Sequence, residues 1–345
     1  MPAGTTNRPN SRDVARHAGV SVGTVSNVLN KPELVASETR AKVEAAIGDL
    51  GFVRNRSARQ LRMGRSQTVG LLVGSIRGPY FSEVAAGVER RLTEAELSLT
   101  LSSCDRDAET ERRLLVQLEE QGVRGILLAP SSDDFTAMNQ LRSRGTPVVL
   151  LDLPSPYPDQ CSVASDDVKG GAMAAAHLIE MGHRRIGLVT AGAAFHQAVE
   201  RRAGLHQAVE AAGLDVKTTV REVTVVTPGA QAGEAAVPQL MAGSNPPTAV
   251  MCINDLLALG VLRGLRAQGL QVPDDVAVVG YDDLEFSSML SPSLTSVRRP
   301  KAEFGSRAAA LLLDEIEHGQ SHLHEQVLFT PELVVRSSSD PARTP

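Results

Sequence analysis

Thr24, Ser26 and Asn27 place three polar side chains in a stretch that is otherwise small and apolar. An asparagine amide can pair with the edge of an adenine through one donated and one accepted hydrogen bond. Serine and threonine hydroxyls can bond to base edges or to phosphate oxygens. The stretch is therefore a candidate nucleic-acid contact surface, with Asn27 as the first candidate for base recognition. The complete set of candidate contacts here is Ser21, Val22, Gly23, Thr24, Ser26, Asn27 and Asn30.

Two helices joined by a tight turn are predicted to position these side chains. Apolar residues recur at helical spacing on both sides of Gly19, which can adopt the positive φ of such a turn. Ser21 can cap the second helix, and a third helix is expected to begin with Ser37 as its cap and to end at Gly51. The pattern is typical of a helix-turn-helix, and the alternative is a three-helix bundle that contacts no nucleic acid. The predicted helices span about 11–18, 21–29 and 37–50.

A basic segment follows these helices. Arg56, Arg59, Arg62 and Arg65 recur every three residues, and Leu61 lies between them. If the segment is helical, the arginines form a cationic surface suited to phosphates. Leu61 would then project as an apolar wedge of the kind that separates stacked bases in the minor groove. The alternative is a solvated linker with an isolated leucine, and the residues alone leave both possibilities open.

Charge is divided unevenly along the chain. The formal net charge is −5, but residues 1–65 hold eleven Lys and Arg against five Asp and Glu. Residues 66–345 hold 24 basic against 35 acidic residues. This division predicts one part that faces a nucleic acid and an acidic remainder that does not.

Other features exclude several classes of protein. Cys104, Cys161 and Cys252 match neither zinc nor disulfide spacing and are expected to be reduced core thiols. We expect no metal, no cofactor, no signal peptide and no membrane-spanning segment, and therefore a cytoplasmic protein. Because dinucleotide-binding, phosphate-loop and nucleophile-elbow motifs are missing from the sequence, we predict no catalytic residues and no enzyme activity.

From Thr68 onward, short apolar strands alternate with amphipathic helices. This alternation is typical of parallel sheets covered by helices on both faces, and it contains too many units for one sheet. We therefore predict an α/β body of two doubly wound lobes behind an all-α head. The predicted strands are Thr68–Val73, Leu97–Leu101, Gly125–Ala129, Pro147–Leu151, Arg185–Val189, Val223–Val226, Ala249–Ile253 and Val276–Gly280. Helices are predicted in the gaps between these strands, for example near 82–96, 109–121, 168–181, 197–212, 255–268 and 301–318.

The expected domain boundaries follow these changes in pattern. The four expected parts are a disordered leader (1–9), a helix-turn-helix domain (10–53), a basic linker (54–66) and a two-lobed body (67–345). Within the body, the first lobe is expected to comprise about 67–163 and 294–325. The second lobe is expected to comprise about 164–293 and the C-terminal segment.

Ordered motifs along the whole chain resemble the LacI/GalR family of transcription regulators. In the head they are Asp13-Val14-Ala15, Gly19-Val20-Ser21, Thr24-Val25-Ser26, Val28-Leu29-Asn30 and Thr39-Arg40. Around the linker they are Gly51-Phe52, Asn55-Arg56, Ala58-Arg59-Gln60-Leu61 and Gly64-Arg65. In the body they are Val69–Val73, Pro79-Tyr80-Phe81, Gly182–Ile186, Asn254-Asp255, Gly280–Asp283, Ser291–Thr295 and Leu333–Arg336. Ordered matches over this length make the resemblance highly specific.

This resemblance implies a DNA-binding transcription regulator, with repression as its expected action. Its body would be periplasmic-binding-protein-like and hold a small effector between two lobes, which would control operator affinity allosterically. The linker would form a hinge helix that orders on operator DNA and inserts Leu61. The family dimerises through its lobes, which implies a homodimer on double-stranded operator DNA. The linker contacts implied are Arg56, Arg59, Leu61 and Arg62. The effector contacts implied are Tyr80, Phe81, Asp152, Arg201, Asn254 and Asp282.

The nature of the effector stays open. Arg, Asp and aromatic side chains suit a hydroxyl-rich ligand, so a sugar or sugar derivative is expected. A nucleoside or an organic acid is the alternative, and Arg77, which occurs in a loop where relatives commonly carry an acid and an amide, would favour an anion. The lobes alone would also suit an exported solute-binding protein, but that function leaves residues 10–65 unexplained.

Some prominent residues have structural interpretations. Asn254 can cap the helix that follows it, and Asp283 and His183 are expected to be structural. Asn27 and Gly23 differ from the residues of many relatives, so a relative's operator sequence cannot be transferred. The tail after Ser337 has no heptad repeat, which predicts a dimer rather than a tetramer.

Overall fold

The computed structural model describes residues 9–53, 66–193 and 195–343. The chain divides into a head, Met1–Arg65, and a body, Ser66–Pro345. The basic segment and nearly all of the expected leader lie outside the described residues, so the expectations for Arg56, Arg59, Leu61 and Arg62 stay predictions. None of the described helices is long and apolar enough to cross a membrane.

Three α-helices form the head. They are α1 (Ser11–Ala18), α2 (Val22–Asn30) and α3 (Ser37–Leu50). The expected turn is confirmed, because Gly19 ends α1 with a φ of 67°. Ser21 caps α2 as expected, since its hydroxyl accepts a hydrogen bond from the Thr24 amide at 3.0 Å. Ser37 was expected to cap α3, but it is the first helical residue, and Ala36 before it makes no side-chain cap.

A small apolar core joins the three helices of the head. Val14, Val25 and Val43 come from α1, α2 and α3 and are fully buried. Each contributes roughly 1.5–3 kcal/mol through burial. Because Val25 and Val28 hold one face of α2 inward, the side chain of Asn27 is left exposed on the other face.

The described part of the body contains nine α-helices and twelve strands. The helices are α4 (Tyr80–Glu94), α5 (Ala108–Glu120), α6 (Thr136–Ser143), α7 (Asp167–Glu180), α8 (His196–Ala211), α9 (Val216–Thr219), α10 (Ala230–Leu240), α11 (Asp255–Ala267) and α12 (Lys301–His318). The strands are β1 (Thr68–Val73), β2 (Ser98–Ser103), β3 (Ile126–Leu128), β4 (Val148–Leu151), β5 (Ser162–Ser165), β6 (Ile186–Ala191), β7 (Val220–Val225), β8 (Ala249–Cys252), β9 (Ala277–Asp282), β10 (Thr295–Arg298), β11 (Gln326–Phe329) and β12 (Glu332–Val334).

The strands form two six-stranded sheets, one in each lobe. The first has the order β11-β5-β4-β3-β1-β2, and its strands are parallel. The second has the order β12-β10-β9-β8-β6-β7 and is parallel except for β12, which runs antiparallel to β10. In the first sheet, β2 and β3 lie on opposite sides of β1, and in the second sheet β7 and β8 lie on opposite sides of β6. The direction in which successive strands are added therefore reverses at β1 and at β6. Ligands of such folds bind at the carboxyl ends of the strands next to this point.

Both faces of the sheets are covered, as the continuous apolar strands predicted. In β1, Leu71 packs into the core beneath α4 and α12, whereas Leu72 packs on the opposite face beneath α5. Both side chains are fully buried. Because neighbouring side chains of a strand point to opposite faces, a strand covered on both sides needs apolar residues at every position.

The chain crosses between the lobes three times, and the last two crossings lie a few residues later than we expected. Residues 294–325 were expected in the first lobe; α12 packs there, but β10 belongs to the second sheet. The C-terminal segment was expected in the second lobe, but β11 lies in the first sheet and only β12 returns to the second. These short strands mix polar with apolar residues, as in the sequence Thr-Ser-Val-Arg of β10, so they lack the apolar run that marks a buried strand.

Pairs of glycines allow helices of the body to cross closely. A Cβ atom built on Gly204 of α8 would lie 1.9 Å from the Val168 carbonyl oxygen of α7, and one on Gly171 of α7 would lie 2.1 Å from the Arg201 carbonyl oxygen. Gly87 of α4 and Gly305 of α12 allow the same close approach, because a Cβ on either would collide with the backbone of the other helix. The close approach of α7 and α8 brings Arg201 next to the first residue of α7, Asp167.

We predict that Gly204→Ala destabilises the body although alanine is the better helix former. The added methyl group must push α7 and α8 apart, at a cost of about 1–3 kcal/mol. Gly48→Ala in α3 is the control, because its Cβ would meet nothing within 4 Å. That change should stabilise its helix by about 0.5–1 kcal/mol. Urea unfolding followed by circular dichroism measures both, and stabilisation by Gly204→Ala would contradict the prediction.

Asp255, the first residue of α11, is connected by hydrogen bonds to the segment after β9. Its carboxylate accepts hydrogen bonds from the Leu284 amide at 2.8 Å and from the Ser287 and Ser296 hydroxyls at 2.6 Å. The side chain is completely buried. Burial, aided by the charge of Asp282, raises the pKa of Asp255 to about 7.

This raised pKa predicts a stability that falls as the pH rises. Between about pH 4 and pH 7 the folded chain holds a proton on Asp255 that the unfolded chain has released. Its stabilising effect is complete below about pH 4 and is lost as the pH rises through 7, by about 4 kcal/mol in all at about 1.4 kcal/mol per pKa unit. Asp255→Asn should remove this slope, which urea unfolding of both proteins at several pH values measures. A difference between them that is independent of pH would contradict the prediction.

Candidate ligand cleft and nucleic-acid interface

A cleft of about 1270 Å³ opens between the two lobes at the carboxyl ends of the strands. Sheet topology explains its position, because loops and helix starts converge at that edge. All six residues predicted to contact an effector line it. Tyr80 and Phe81 begin α4, Asp152 follows β4, Arg201 lies in α8, Asn254 precedes α11 and Asp282 ends β9.

The guanidinium group of Arg299 joins the lobes at the centre of the cleft. Nη1 donates to Oδ1 of Asp152 in the first lobe at 2.5 Å, and Nη2 donates to Oδ1 of Asp282 in the second lobe at 2.9 Å. The aromatic ring of Tyr80 lies against the guanidinium, 3.9 Å from ring centroid to Cζ. All three charged residues are buried. Such charge-assisted hydrogen bonds are roughly twice as strong as neutral ones.

Two further contacts connect the lobes across the cleft. The Gln197 amide of α8 donates to the carbonyl oxygen of Asp152 at 2.9 Å and to its carboxylate at 3.1 Å. Arg106, from the loop after β2, places its guanidinium 4.2 Å from the centroid of the Phe195 ring. This is the geometry of a cation–π interaction. Through Gln197, both the backbone carbonyl and the carboxylate of Asp152 accept hydrogen bonds from the second lobe.

Arg201 forms the wall of the cleft on the side of the second lobe. Its Nε donates to Oδ1 of Asp167 at 3.0 Å, and Nη1 donates to the carbonyl oxygen of Ile253. Its guanidinium stacks on the Tyr281 ring at 3.6 Å. Its Nη2 is buried without a hydrogen-bond partner, 3.8 Å from the Asp282 carboxylate. This guanidinium is fixed by its neighbours and still has donor capacity.

The backbone is strained where the acidic residues enter the cleft. Positive φ angles occur at Asp152 (62°), Asp282 (102°) and Asp283 (48°). Residues other than glycine adopt such angles at a cost of order 1–3 kcal/mol each. The buried Lys301 ammonium compensates for part of this cost, since it donates to the carbonyl oxygens of Asp282 and Asp283 at 2.7 and 2.8 Å. The strain aims carboxylates into the cleft and marks the region as functional.

The acids of the cleft differ in how readily they carry charge. Burial raises the pKa of Asp282, although Arg299 and Arg201 act in the opposite direction. Burial would also raise the pKa of Asp167, but Arg201 and Arg299 outweigh it and lower that pKa. Burial raises the pKa of Tyr80 well above its usual value, so its hydroxyl stays neutral and donates to Asp152 at 3.2 Å. The negative charge of Asp282 therefore depends more on its cationic neighbours than on solvent.

Asp283 and His183, which were expected to be structural, make structural contacts, and Asn254 also acts as the helix cap given as its alternative role. The Asn254 side chain accepts a hydrogen bond from the Leu257 amide at 2.8 Å and caps α11, while the residue also lines the cleft. Asp283 pairs with Arg298 at 2.7 Å. His183 bonds to the Thr248 hydroxyl at 3.0 Å.

Four residues that were not predicted from the sequence also line the cleft, namely Arg299, Gln197, Arg106 and Phe195. Arg299 follows β10, a strand that was not predicted, so nothing placed it at a sheet edge. The only feature that could have indicated Arg299 is its position directly after a short run of residues that favour strands. That feature is too common in a single sequence to identify a functional residue. Arg77 is at the cleft, but its guanidinium donates to Asp105 at 2.8 Å and both are exposed. Its charge is therefore balanced locally, which weakens the argument for an anionic ligand.

The predicted nucleic-acid contacts of the head lie along α2 and its start. Ser21, Val22, Gly23, Asn27 and Asn30 are exposed, and Thr24 and Ser26 are half-buried. The hydroxyl groups of Ser21 and Thr24 form a hydrogen bond, with their oxygens 2.9 Å apart. The side-chain amide of Asn30 donates a hydrogen bond to the carbonyl oxygen of Ser26 at 2.8 Å and so stabilises the end of α2. Val22 and Asn27 lie five positions apart on α2 and are both exposed.

Comparison with known families assigns both parts of the chain. Residues 12–55 match the family described as bacterial regulatory proteins, lacI family. Residues 175–339 match a periplasmic binding protein-like domain.

Whole-chain similarity extends this result. The ribose operon repressor of Escherichia coli (strain K12) is 36% identical over 330 residues, which cover 95% of this chain and 99% of that protein. The structure of a transcriptional regulator CelR–cellobiose complex is 34% identical with a TM-score of 0.72 and covers 96% of this chain and 100% of its own. The lac repressor dimer bound to operator and the anti-inducer ONPF is 29% identical with a TM-score of 0.84, over 96% of this chain and 99% of its own.

These matches confirm the helix-turn-helix head and the two-lobed α/β body, and the relatives are repressors rather than enzymes. A head that matches a DNA-binding family also excludes a plain solute-binding protein. The chain belongs to the LacI family of bacterial regulatory proteins and is a DNA-binding transcription regulator controlled by a small molecule.

Proposed function

We propose that the protein is a repressor whose effector is an uncharged, hydroxyl-rich sugar bound between the lobes. The observation that carries this proposal is the buried pairing of Arg299 with Asp152 and Asp282 at the centre of the cleft. Fixed guanidinium and carboxylate groups can donate to and accept from neighbouring hydroxyls. The CelR structure, which is a complex with cellobiose, agrees with a sugar.

The balance of charge favours a neutral ligand over an acid or a phosphate. Four of the five arginines that line the cleft form ion pairs with acids. An anion would have to displace the acid from any of these four cations, whereas a hydroxyl can bond to both partners of a pair. Those four arginines are Arg77, Arg201, Arg263 and Arg299. The fifth arginine, Arg106, stacks on the Phe195 ring instead.

Ligand binding can change the lobe arrangement because the same groups hold the lobes together. Asp152 bonds to Arg299 and Gln197, so a ligand that takes over these bonds alters the connection between the lobes. A ligand shifts the equilibrium between two arrangements only by its difference in affinity for them. We propose the predicted contacts Tyr80, Phe81, Asp152, Arg201, Asn254 and Asp282 as the effector site, together with Arg299 and Gln197.

The first experiment identifies the class of effector. Neutral sugars should raise the melting temperature of the full chain, while sugar acids, sugar phosphates and nucleosides should not, because a ligand of the native state stabilises it. Asp152→Asn removes a charge-assisted bond worth about 1.5–3 kcal/mol and should weaken sugar binding by about 10- to 100-fold in calorimetric titration.

The matched control for this experiment is Arg77→Gln. It removes a charge at the edge of the same cleft that is already balanced by Asp105, so sugar affinity should stay nearly unchanged. Tight binding of acids or phosphates, weakened by Arg77→Gln, would refute the neutral effector.

The activity that the effector controls is binding to operator DNA. We propose that α2 contacts base edges through Asn27 and Val22 and that Arg56, Arg59 and Arg62 contact phosphates, with Leu61 inserted in the minor groove. We also propose a homodimer, whose two heads would bind a roughly palindromic operator within the bacterial nucleoid. The dimeric state of the lac repressor on its operator supports this arrangement.

The second experiment tests the assignment of Asn27. With an operator selected from random duplexes, Asn27→Ala should weaken specific binding by ~1–3 kcal/mol and leave binding to scrambled DNA unchanged. Lys42→Ala on α3, whose ammonium pairs with Glu38, is the control and should change specific binding little. Mobility shifts at two salt concentrations measure both. An equal loss on operator and scrambled DNA would mean that Asn27 does not recognise a base.

A further inference from the structure

Four side chains that can bind a metal converge in the first lobe at the end of the sheet opposite the cleft. Cys161 directly precedes β5, Glu315 lies in the last turns of α12, and His322 and His324 lie between α12 and β11. Their ligand atoms all lie within 4.8 Å of one another. None of the four lines the cleft. Sequence spacing gave no sign of this group, because more than 150 residues separate the cysteine from its neighbours.

The separations suit a tetrahedral ion. Cys161 Sγ lies 3.1 Å from Nε2 of His322 and 3.8 Å from Nδ1 of His324. A tetrahedral zinc ion with Zn–S of about 2.3 Å and Zn–N of about 2.0 Å would hold sulfur and nitrogen ligands about 3.5 Å apart. The two distances lie on either side of that value. Small side-chain rotations would therefore bring both imidazoles to bonding distance from one ion.

The surroundings provide the further features of a metal site. Nδ1 of His322 bonds to the Asp314 carboxylate at 2.5 Å, which leaves Nε2 as the ligand atom that faces Cys161. A carboxylate in this position typically orients a metal-binding histidine. Oε2 of Glu315 is buried and has no hydrogen-bond partner. A bound cation would supply the missing partner of this oxygen.

Access and charge also favour a cation. His324 is exposed, so an ion can enter from solvent, whereas His322 and Cys161 are buried behind it. Glu315, Asp314 and Glu325 contribute negative charge, while Arg307 is paired with Glu325.

We propose that Cys161, Glu315, His322 and His324 bind one zinc ion. One sulfur, two imidazole nitrogens and one carboxylate oxygen form a ligand set typical of this metal. The ion would fasten the segment between α12 and β11 to the start of β5. It would thus stabilise the pairing of β11 with β5 in the first lobe, where the chain returns from its last helix.

Cobalt provides a direct test on the full-length protein. After removal of metals with a chelator, Co²⁺ should bind one ion per chain and give the near-ultraviolet absorption of a cobalt–thiolate bond. Equimolar Zn²⁺ should abolish that absorption. Cys161→Ser should bind Co²⁺ without the thiolate band. His324→Ala should weaken Zn²⁺ binding, measured by competition with a chromophoric chelator, by at least about tenfold, and Asp314→Asn by about tenfold.

Matched variants separate this site from nonspecific binding. Cys104→Ser removes another buried thiol, and His206→Ala removes a histidine of α8; both should keep the band and the affinity of the unaltered protein. If Cys161→Ser fails to fold, His324→Ala decides, because its side chain is exposed. A missing thiolate band in the unaltered protein, a band that persists in Cys161→Ser, or unchanged affinity in His324→Ala would each overturn the proposal.

Discussion

The body depends on one of its buried cations, the guanidinium of Arg299, which is 3% exposed. A charge at this depth is tolerated only when acids and hydrogen bonds compensate for lost water, and here Asp152 and Asp282 come from different lobes. Removal of one partner from such a pair costs about 3–5 kcal/mol because the remaining charge stays buried. The arrangement of the lobes is therefore tied to whether both acids reach the same guanidinium.

The position of Arg299 in the chain makes this interaction suitable for regulation. It lies between β10 of the second sheet and α12 of the first lobe, within one of the three crossings. Two residues later, Lys301 holds the strained carbonyls of Asp282 and Asp283. A change in the bonds of Arg299 thus acts where the lobes are covalently joined and where backbone strain is stored. Coupling between two sites requires two arrangements with different contacts, and this crossing provides contacts that can differ.

The sequence predicted those elements whose pattern follows from burial alone. The bounds of β1 and α12 agree with the expected 68–73 and 301–318, because one is a continuous apolar strand and the other a long amphipathic helix. The bounds of α10, which contains Pro238, were not predicted, and the short strands near the crossings were missed. The six cleft residues came from family resemblance, and the structure brings them together. Arg299 could not be found, since its role arises from two acids that lie 147 and 17 residues away.

The head divides recognition between two kinds of residue. The described residues 9–53 carry five basic and five acidic side chains, so the helices themselves have no net charge. The excess positive charge of the first 65 residues lies outside this range, in Arg8 and in the five arginines from Arg54 to Arg65. Attraction to phosphates is long-range and independent of sequence, whereas base recognition is short-range. The helices are thus suited to select a sequence, and the arginine-rich segment to supply the affinity. A regulator that altered only this segment could release DNA without changing which sequence its helices recognise.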